Sequence, residues 1–196
     1  RRLVGSEMCI RDRPEGYRKT ARLMKMAEDF ELPLISFIDT PGAYPGIESE
    51  ERGMSEAIAK NLSLLSNLKT AVIVIITGEG GSGGALAIGI GDHVCMLEHS
   101  IYAVASPEAC ASIVWRDGSK AKDAAEAMKV DASNLRNLGL VDEVIEEPLG
   151  GAHRDIRGVS NSISHVIEKK LQTFDEVDIS DLLKKRYEKI MSYGSI

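Results

Sequence analysis

The sequence predicts a parallel α/β domain, and three observations carry that expectation. Apolar runs of strand length, Leu34 to Asp39 and Thr70 to Thr77, alternate with segments of helical periodicity. Both runs end in turn-forming residues, TPGAYPG after Asp39 and TGEGGSGG from Thr77. In a parallel sheet such loops emerge on one edge, the edge where ligands bind.

Each element follows in order. From Glu15 to Phe30 apolar residues recur at helical spacing (Tyr17, Ala21, Met24, Ala27, Phe30), and Pro33 closes the segment. Glu48 to Leu68 reads as one long helix with acids in its first turn, which suits the helix dipole, and an apolar stripe of Ile58, Leu62, Leu65 and Leu68. A short helix near Gly83 to Ile90 follows the second strand. Val94 to Leu97 and Ile101 to Ala105 read as a strand pair or one interrupted strand. Ser106 before Pro107 is an N-cap with proline at the first helical position, so a helix runs to Trp115. Lys120 to Met128 and Ser133 to Leu138 are further short helices, and Val141 to Ile145 is a last strand. Asp155 to Met191 is amphipathic helix broken near Thr173, and no internal repeat of 20 to 50 residues is found.

Composition narrows the function. With 196 residues, 43% hydrophobic and 28% charged, the chain has the make-up of a globular domain with a real core. A net charge of −6 and the lack of a basic stripe argue against nucleic acid. Lys184-Lys185-Arg186, the densest basic run, reads as a solvated face of a helix that also carries Leu183, Tyr187 and Ile190. Three cysteines without a C-x-x-C pair suit a reducing cytoplasm, and no cysteine zinc site is expected within this chain. No apolar run approaches the roughly 20 residues of a membrane span, and residues 1–13 lack the apolar core of a signal peptide. That stretch, RRLVGSEMCIRDR, has no periodicity and is expected to be foreign to the domain or a disordered leader. The core is expected over 14–150, incomplete at its N-terminus, with a C-terminal helical extension over 151–196.

The glycine cluster TGEGGSGGALAIGIG allows several chemistries. Gly78-x-Gly80-x-x-Gly83 fits a dinucleotide fingerprint, with Glu98 20 residues on, but the following helix is short for a βαβ crossover. Gly80-x-Ser82-x-Gly84 fits a nucleophile elbow, with Asp142 and His153 following in hydrolase order, although Ser82 can equally be a small spacer. A P-loop fits worse, because no Lys-Ser/Thr follows. The remaining reading uses backbone alone: N–H groups near Gly83, Gly84 and Ala85, at the positive end of a helix dipole, form an oxyanion hole. The plainer alternative is that the glycines only permit close packing. Five glycines between positions 78 and 84, beside a second Pro/Gly loop, favour a site.

Other residues point less sharply. His93, His99, His153 and His165 lack metal-ligand spacing and read as surface or core histidines. Glu50-Glu51-Arg52 is dipole-matched charge, Trp115 packs in a core or interface, and Arg154 could hold an anion.

Taken in order, PEGYRKTARLMKMAE, FIDTPGAYPG, EERGMSEAIAKNL, GEGGSGGALAIGIGD, YAVASPEACASI, EPLGGAHRD and RYEKIMSYG resemble the α subunits of bacterial acetyl-CoA carboxylase carboxyltransferases, from Pro14 to the C-terminus. The resemblance implies a crotonase-like ββα superhelix with C-terminal helices. It implies transfer of a carboxyl group from carboxybiotin, held on a biotin carboxyl carrier protein, to acetyl-CoA, giving malonyl-CoA for fatty acid synthesis. It implies an α₂β₂ assembly with a zinc-bearing β subunit, a separate biotin carboxylase, and no metal in this chain. Gly84 and Ala85 are then the expected oxyanion-hole amides. Gly80, Gly81, Gly83, Gly42, Ala43 and Tyr44 are expected to line the carboxybiotin pocket, with Pro45 on its apolar flank. A serine hydrolase using Ser82, and a non-catalytic subunit that completes the β partner's site, remain as alternatives. A bulky residue at Gly84 is expected to separate the last from a catalytic role.

Overall fold

The computed structural model describes residues 13–194. The expectation for residues 1–13 therefore lies outside the described residues, apart from Arg13, whose guanidinium sits 5.3 Å from the Tyr44 ring centroid.

A five-stranded, all-parallel sheet organises the chain. Its strands are β1 (Leu34–Thr40), β2 (Val72–Gly81), β3 (His93–Leu97), β4 (Ile101–Ala103) and β5 (Glu143–Ile145). The order is β1-β2-β3-β5, and β4 pairs with the far end of β2. Strand β2 is the spine. Ile73 to Ile76 pair with β3, and Glu79 to Gly81 pair with β4. The two strand runs near positions 94 and 101 thus follow one another along β2 instead of pairing together, which is the interrupted-strand reading.

The apolar run of β2 is continuous because both faces are covered. Val72, Val74 and Ile76 point to one face and meet Ile38, Val94, Met96 and Leu65. Ile73 and Ile75 point to the other, with Cys95, Leu97 and Ile145. The first face is covered by α1 (Pro14–Asp29), α3 (Met54–Asn67) and α7 (Ala132–Asn137), through Met24, Leu65 and Leu135. The second is covered by α8 (Ile156–Asp175), through Val159 and Val166. Burial of such a side chain contributes about 1.5–3 kcal/mol. Among the described residues no helix is long and apolar enough to cross a membrane.

Several boundaries differ from expectation for identifiable reasons. The helix expected over Glu48 to Leu68 is broken into α2 (Ile47–Glu51) and α3, because Gly53 takes a left-handed φ of 73° between them. Leu65 and Leu68 are buried as expected, but in the first turns of α3 the buried positions are Met54, Ala57 and Asn61, with Ile58 and Leu62 only half-buried. Phe30, expected on the apolar face of α1, is 68% exposed. The last helical stretch breaks at residues 176–178, after Asp175.

The basic run near the C-terminus is not a wholly solvated face. In α9 (Ile179–Ser192) Lys184 and Lys185 are exposed, but Arg186 is buried at 1% exposure. Its guanidinium forms a bidentate pair with Asp92, at 2.8 and 2.6 Å. It also donates to the carbonyls of Leu65, Leu68 and Thr70, each at 2.8 Å. Those carbonyls lie at the C-terminal end of α3 and just before β2, so one side chain satisfies helix-end acceptors and fastens α9 to the sheet.

Candidate active site

The site is built at the C-terminal edge of β1 and β2, where both glycine loops emerge. The cluster is less of a loop than the sequence suggests: Gly78, Gly80 and Gly81 are the last residues of β2. Helix α4 (Ser82–Leu86) begins directly after them and is five residues long, not the eight expected.

Most of these glycines are explained by close packing. A Cβ on Gly78 would strike the Asp39 carboxylate, whose Oδ1 accepts the Glu79 N–H at 3.1 Å. One on Gly80 would lie 2.6 Å from the Tyr102 ring, and one on Gly81 would meet the Pro41 carbonyl. One on Gly84 would lie 2.5 Å from the Ala43 nitrogen. Gly83 differs: a Cβ there meets only Ile58, at 3.9 Å. The packing alternative therefore accounts for four of the five glycines and leaves Gly83. It also means that a bulky residue at Gly84 perturbs the fold, so that substitution does not separate catalysis from assembly.

The loop after β1 is held against this turn. Thr40 is buried, and its Oγ1 accepts the Gly42 N–H at 3.2 Å. Gly42 has a φ of 124°, which only glycine adopts readily, and its missing Cβ faces the Gly81 carbonyl at 3.2 Å. Gly42 and Ala43 thus abut Gly81 and Gly84 through backbone, while Tyr44 is 38% exposed.

Beside the first turn of α4 lies an apolar cavity of about 280 Å³. Ser82 and Gly83 form one wall; Tyr102, Leu135, Ile190 and Tyr193 are among the others. Gly42, Ala43, Tyr44, Gly84 and Ala85 are not among its walls. Burial pushes the Tyr102 and Tyr193 phenols up to about 12, so both are neutral near pH 7. The contribution of α9 to this cavity escaped the sequence reading, because Ile190 and Tyr193 lie more than 100 residues from Ser82.

The first turn supplies donors without a side chain. With Gly81 as N-cap, its carbonyl accepts the first intrahelical bond, from the Ala85 N–H. The N–H groups of Ser82, Gly83 and Gly84 precede that bond and have no intrahelical partner. Both Gly84 and Ala85 are buried, whereas Gly83 reaches the cavity.

Ser82 has a φ of 53° at a strand-to-helix turn, as a nucleophile elbow does. Its presumed acid partner is elsewhere. Asp142 precedes β5 and accepts the Val94 N–H at 2.7 Å, near the N-terminal ends of the strands. Ser82 follows the C-terminal end of β2, so the two occupy opposite edges of the sheet. Glu98, the candidate ribose ligand, instead accepts the Glu147 N–H at 3.2 Å. Trp115 is 41% exposed, and Arg154 is exposed.

The fold is that of the crotonase-type α/β proteins. The fold matches transcarboxylase 12S, a hexamer, with a TM-score of 0.64 at 24% identity, over 68% of this chain and 28% of that one. It also matches a Pseudomonas malonate decarboxylase hetero-tetramer in complex with coenzyme A, with a TM-score of 0.65 at 16% identity, over 88% and 69%. A family described as acetyl co-enzyme A carboxylase carboxyltransferase-like matches residues 9–194, and the chain belongs to this family. The match begins five residues before Pro14, inside the stretch expected to be foreign.

Among relatives, the acetyl-coenzyme A carboxylase carboxyl transferase subunit alpha of Vibrio cholerae is 58% identical over 182 residues, covering 93% of this chain and 57% of the relative. That of Azotobacter vinelandii is also 58% identical, covering 93% and 58%. The chain thus spans less than two thirds of the length of the curated relatives it matches.

Proposed function

We propose that this chain is the catalytic core of an acetyl-CoA carboxylase carboxyltransferase α subunit. It moves a carboxyl group from carboxybiotin on a carrier protein to acetyl-CoA, giving malonyl-CoA for fatty acid synthesis in the cytoplasm. The observation that carries this reading is the first turn of α4, whose Ser82 and Gly83 wall an apolar cavity. The names of relatives 55–58% identical over nearly the whole chain support it.

In this reading the chain's part is electrostatic. As the carboxyl group leaves, negative charge develops on the ureido oxygen of the biotin substrate. The N–H group of Gly83, on the cavity wall, donates to it, with the expected pair Gly84 and Ala85 buried behind it. One such donor is typically worth about 10²–10³ in rate. The helix dipole adds in the same sense, and the apolar walls keep water from weakening both. Gly80, Gly81, Gly42 and Ala43 shape the turn from behind, and Tyr44 and Pro45 continue the loop that carries Gly42 and Ala43. No titratable side chain is needed, because the ureido nitrogen freed of its carboxyl group acts as base toward acetyl-CoA.

The partners follow as part of the proposal: a zinc-bearing β subunit in an α₂β₂ assembly, a biotin carboxyl carrier protein and a biotin carboxylase. The test is carboxyl transfer in reverse, from malonyl-CoA to free biotin, with this chain and a β subunit present. Turnover that requires both chains is expected. A purified α–β complex that transfers nothing overturns the reading.

A further inference from the structure

On the sheet face covered by α8, three ligand-bearing side chains meet. His93 and Cys95 stand two residues apart on β3 and so share a face. Cys95 is in register with Glu143 of β5. The ligating atoms of His93, Cys95 and Glu143 all lie within 4.8 Å of one another. His93 and Cys95 are buried, while the Glu143 side chain is 33% exposed and gives a path to solvent.

We propose that His93, Cys95 and Glu143 form a binding site for a divalent cation of the zinc type, held by His93 Nε2, Cys95 Sγ and a Glu143 carboxylate oxygen, with water at the fourth position. The donor set selects the metal. Magnesium and calcium take oxygen ligands, whereas one nitrogen, one thiolate and one carboxylate suit zinc or cobalt. The spacing suits it too. With metal–ligand distances of about 2.0–2.3 Å, neighbouring donors in a tetrahedral site lie about 3.3–3.7 Å apart. His93 Nε2 and Glu143 Oε2 are 3.0 Å apart and all three ligand atoms lie within 4.8 Å, so closure requires that pair to open slightly and the three side chains to adjust by about an ångström.

A surrounding shell orients the histidine. Asp142 Oδ2 lies 3.7 Å from His93 Nδ1 and is itself fixed by the Val94 N–H and the Lys189 ammonium. A carboxylate near Nδ1 gives the ring proton a partner there once Nε2 binds the metal. Without an ion, the same atoms form a His93–Glu143 hydrogen bond beside a thiol that burial pushes up to about 12. Binding then has a fixed proton balance. The Cys95 S–H bond breaks, the S–metal bond forms, and one proton leaves to solvent, while the His93 proton shifts from Nε2 to Nδ1. Two ligand charges neutralise the ion. The groups facing the site are Asp142, Glu143, Lys170 of α8 and Lys189 of α9. Lys170 opposes a cation, so Lys170→Met tightens binding.

The test is titration of the purified chain with cobalt(II), followed by thiolate-to-cobalt charge-transfer absorption, with zinc competing against a chromophoric chelator. One ion per chain is expected, with affinity rising about tenfold per pH unit while the thiol is protonated. The charge-transfer band disappears in Cys95→Ala and persists in Cys9→Ala and Cys110→Ala. Glu143→Gln, at a partly exposed position that leaves the fold intact, weakens zinc about tenfold or more and carries the test if Cys95→Ala fails to fold. No charge-transfer band in the wild-type chain, a band that survives Cys95→Ala, or unchanged zinc affinity in Glu143→Gln each overturns the site. None of these outcomes bears on carboxyl transfer.

Discussion

Arg186 and Asp92 show how much a single pair can hold in this fold. The guanidinium is enclosed with the Asp92 carboxylate and three backbone carbonyls, and Asp92 Oδ2 also accepts the Val72 N–H at 2.7 Å. Removing the arginine strands a buried carboxylate. Arg186→Met is therefore expected to lower unfolding free energy by about 3–5 kcal/mol in a denaturant titration. The clue in the sequence was the phase of Leu182, Arg186 and Ile190, spaced by four on one helix face, and the neighbouring lysines hid it. Ser82 poses the opposite case, an exposed residue with φ at 53°. Ser82→Gly relieves about 1–2 kcal/mol of left-handed strain against about 0.4–1 kcal/mol of added chain entropy, so thermal melting is expected at or above the wild-type temperature. Ser82→Ala keeps most of the transfer rate, whereas loss of a hydrolytic nucleophile costs about 10⁶.

Elements were legible where their signals are local. Ser106 caps α5 (Pro107–Trp115) as its sequence indicates, its Oγ accepting the Ala109 N–H at 3.2 Å. Ser106→Ala is expected to cost about 1 kcal/mol. Asp131 caps α7 through Asn134, and those hydrogen bonds lower its pKa. A carboxyl with a lowered folded pKa adds stability above its unfolded value, near 3.8, and loses it as pH falls through the folded value. The stability gap between wild type and Asp131→Asn is therefore expected to be open above pH 4 and to close in more acid solution, as followed by pH-dependent melting. Boundaries set by tertiary contact were not legible. Nothing in Glu48 to Leu68 announces that Gly53 turns left-handed. Nor does a run of glycines show that three of them are strand residues, because the neighbours that forbid a Cβ are Asp39, Pro41 and Tyr102, from other parts of the chain.

At the scale of the molecule, the parallel sheet and the shared edge of the two loops followed from the order of apolar runs and glycines. The cavity and the His93–Cys95–Glu143 cluster did not, because they depend on which strands pair and where α9 docks. Strand pairing brings together residues about 50 positions apart, and docking of α9 brings Arg186 to carbonyls 116–121 positions away. The same architecture separates two tasks. Arg186, Asp92 and Asp142 fasten the edge where strands begin, and the glycine turn occupies the edge where β1 and β2 end. The central claim is that the cavity beside Gly83 receives the substrate of carboxyl transfer, and Ala103, another of its walls, offers a way to close it. The decisive measurement is malonyl-CoA-dependent carboxylation of biotin by the Ala103→Phe chain with a β subunit, after gel filtration has shown an intact complex. The account predicts an assembled complex whose transfer falls about 100-fold or more, the scale of one lost oxyanion donor. An assembled complex that transfers at the wild-type rate would contradict it.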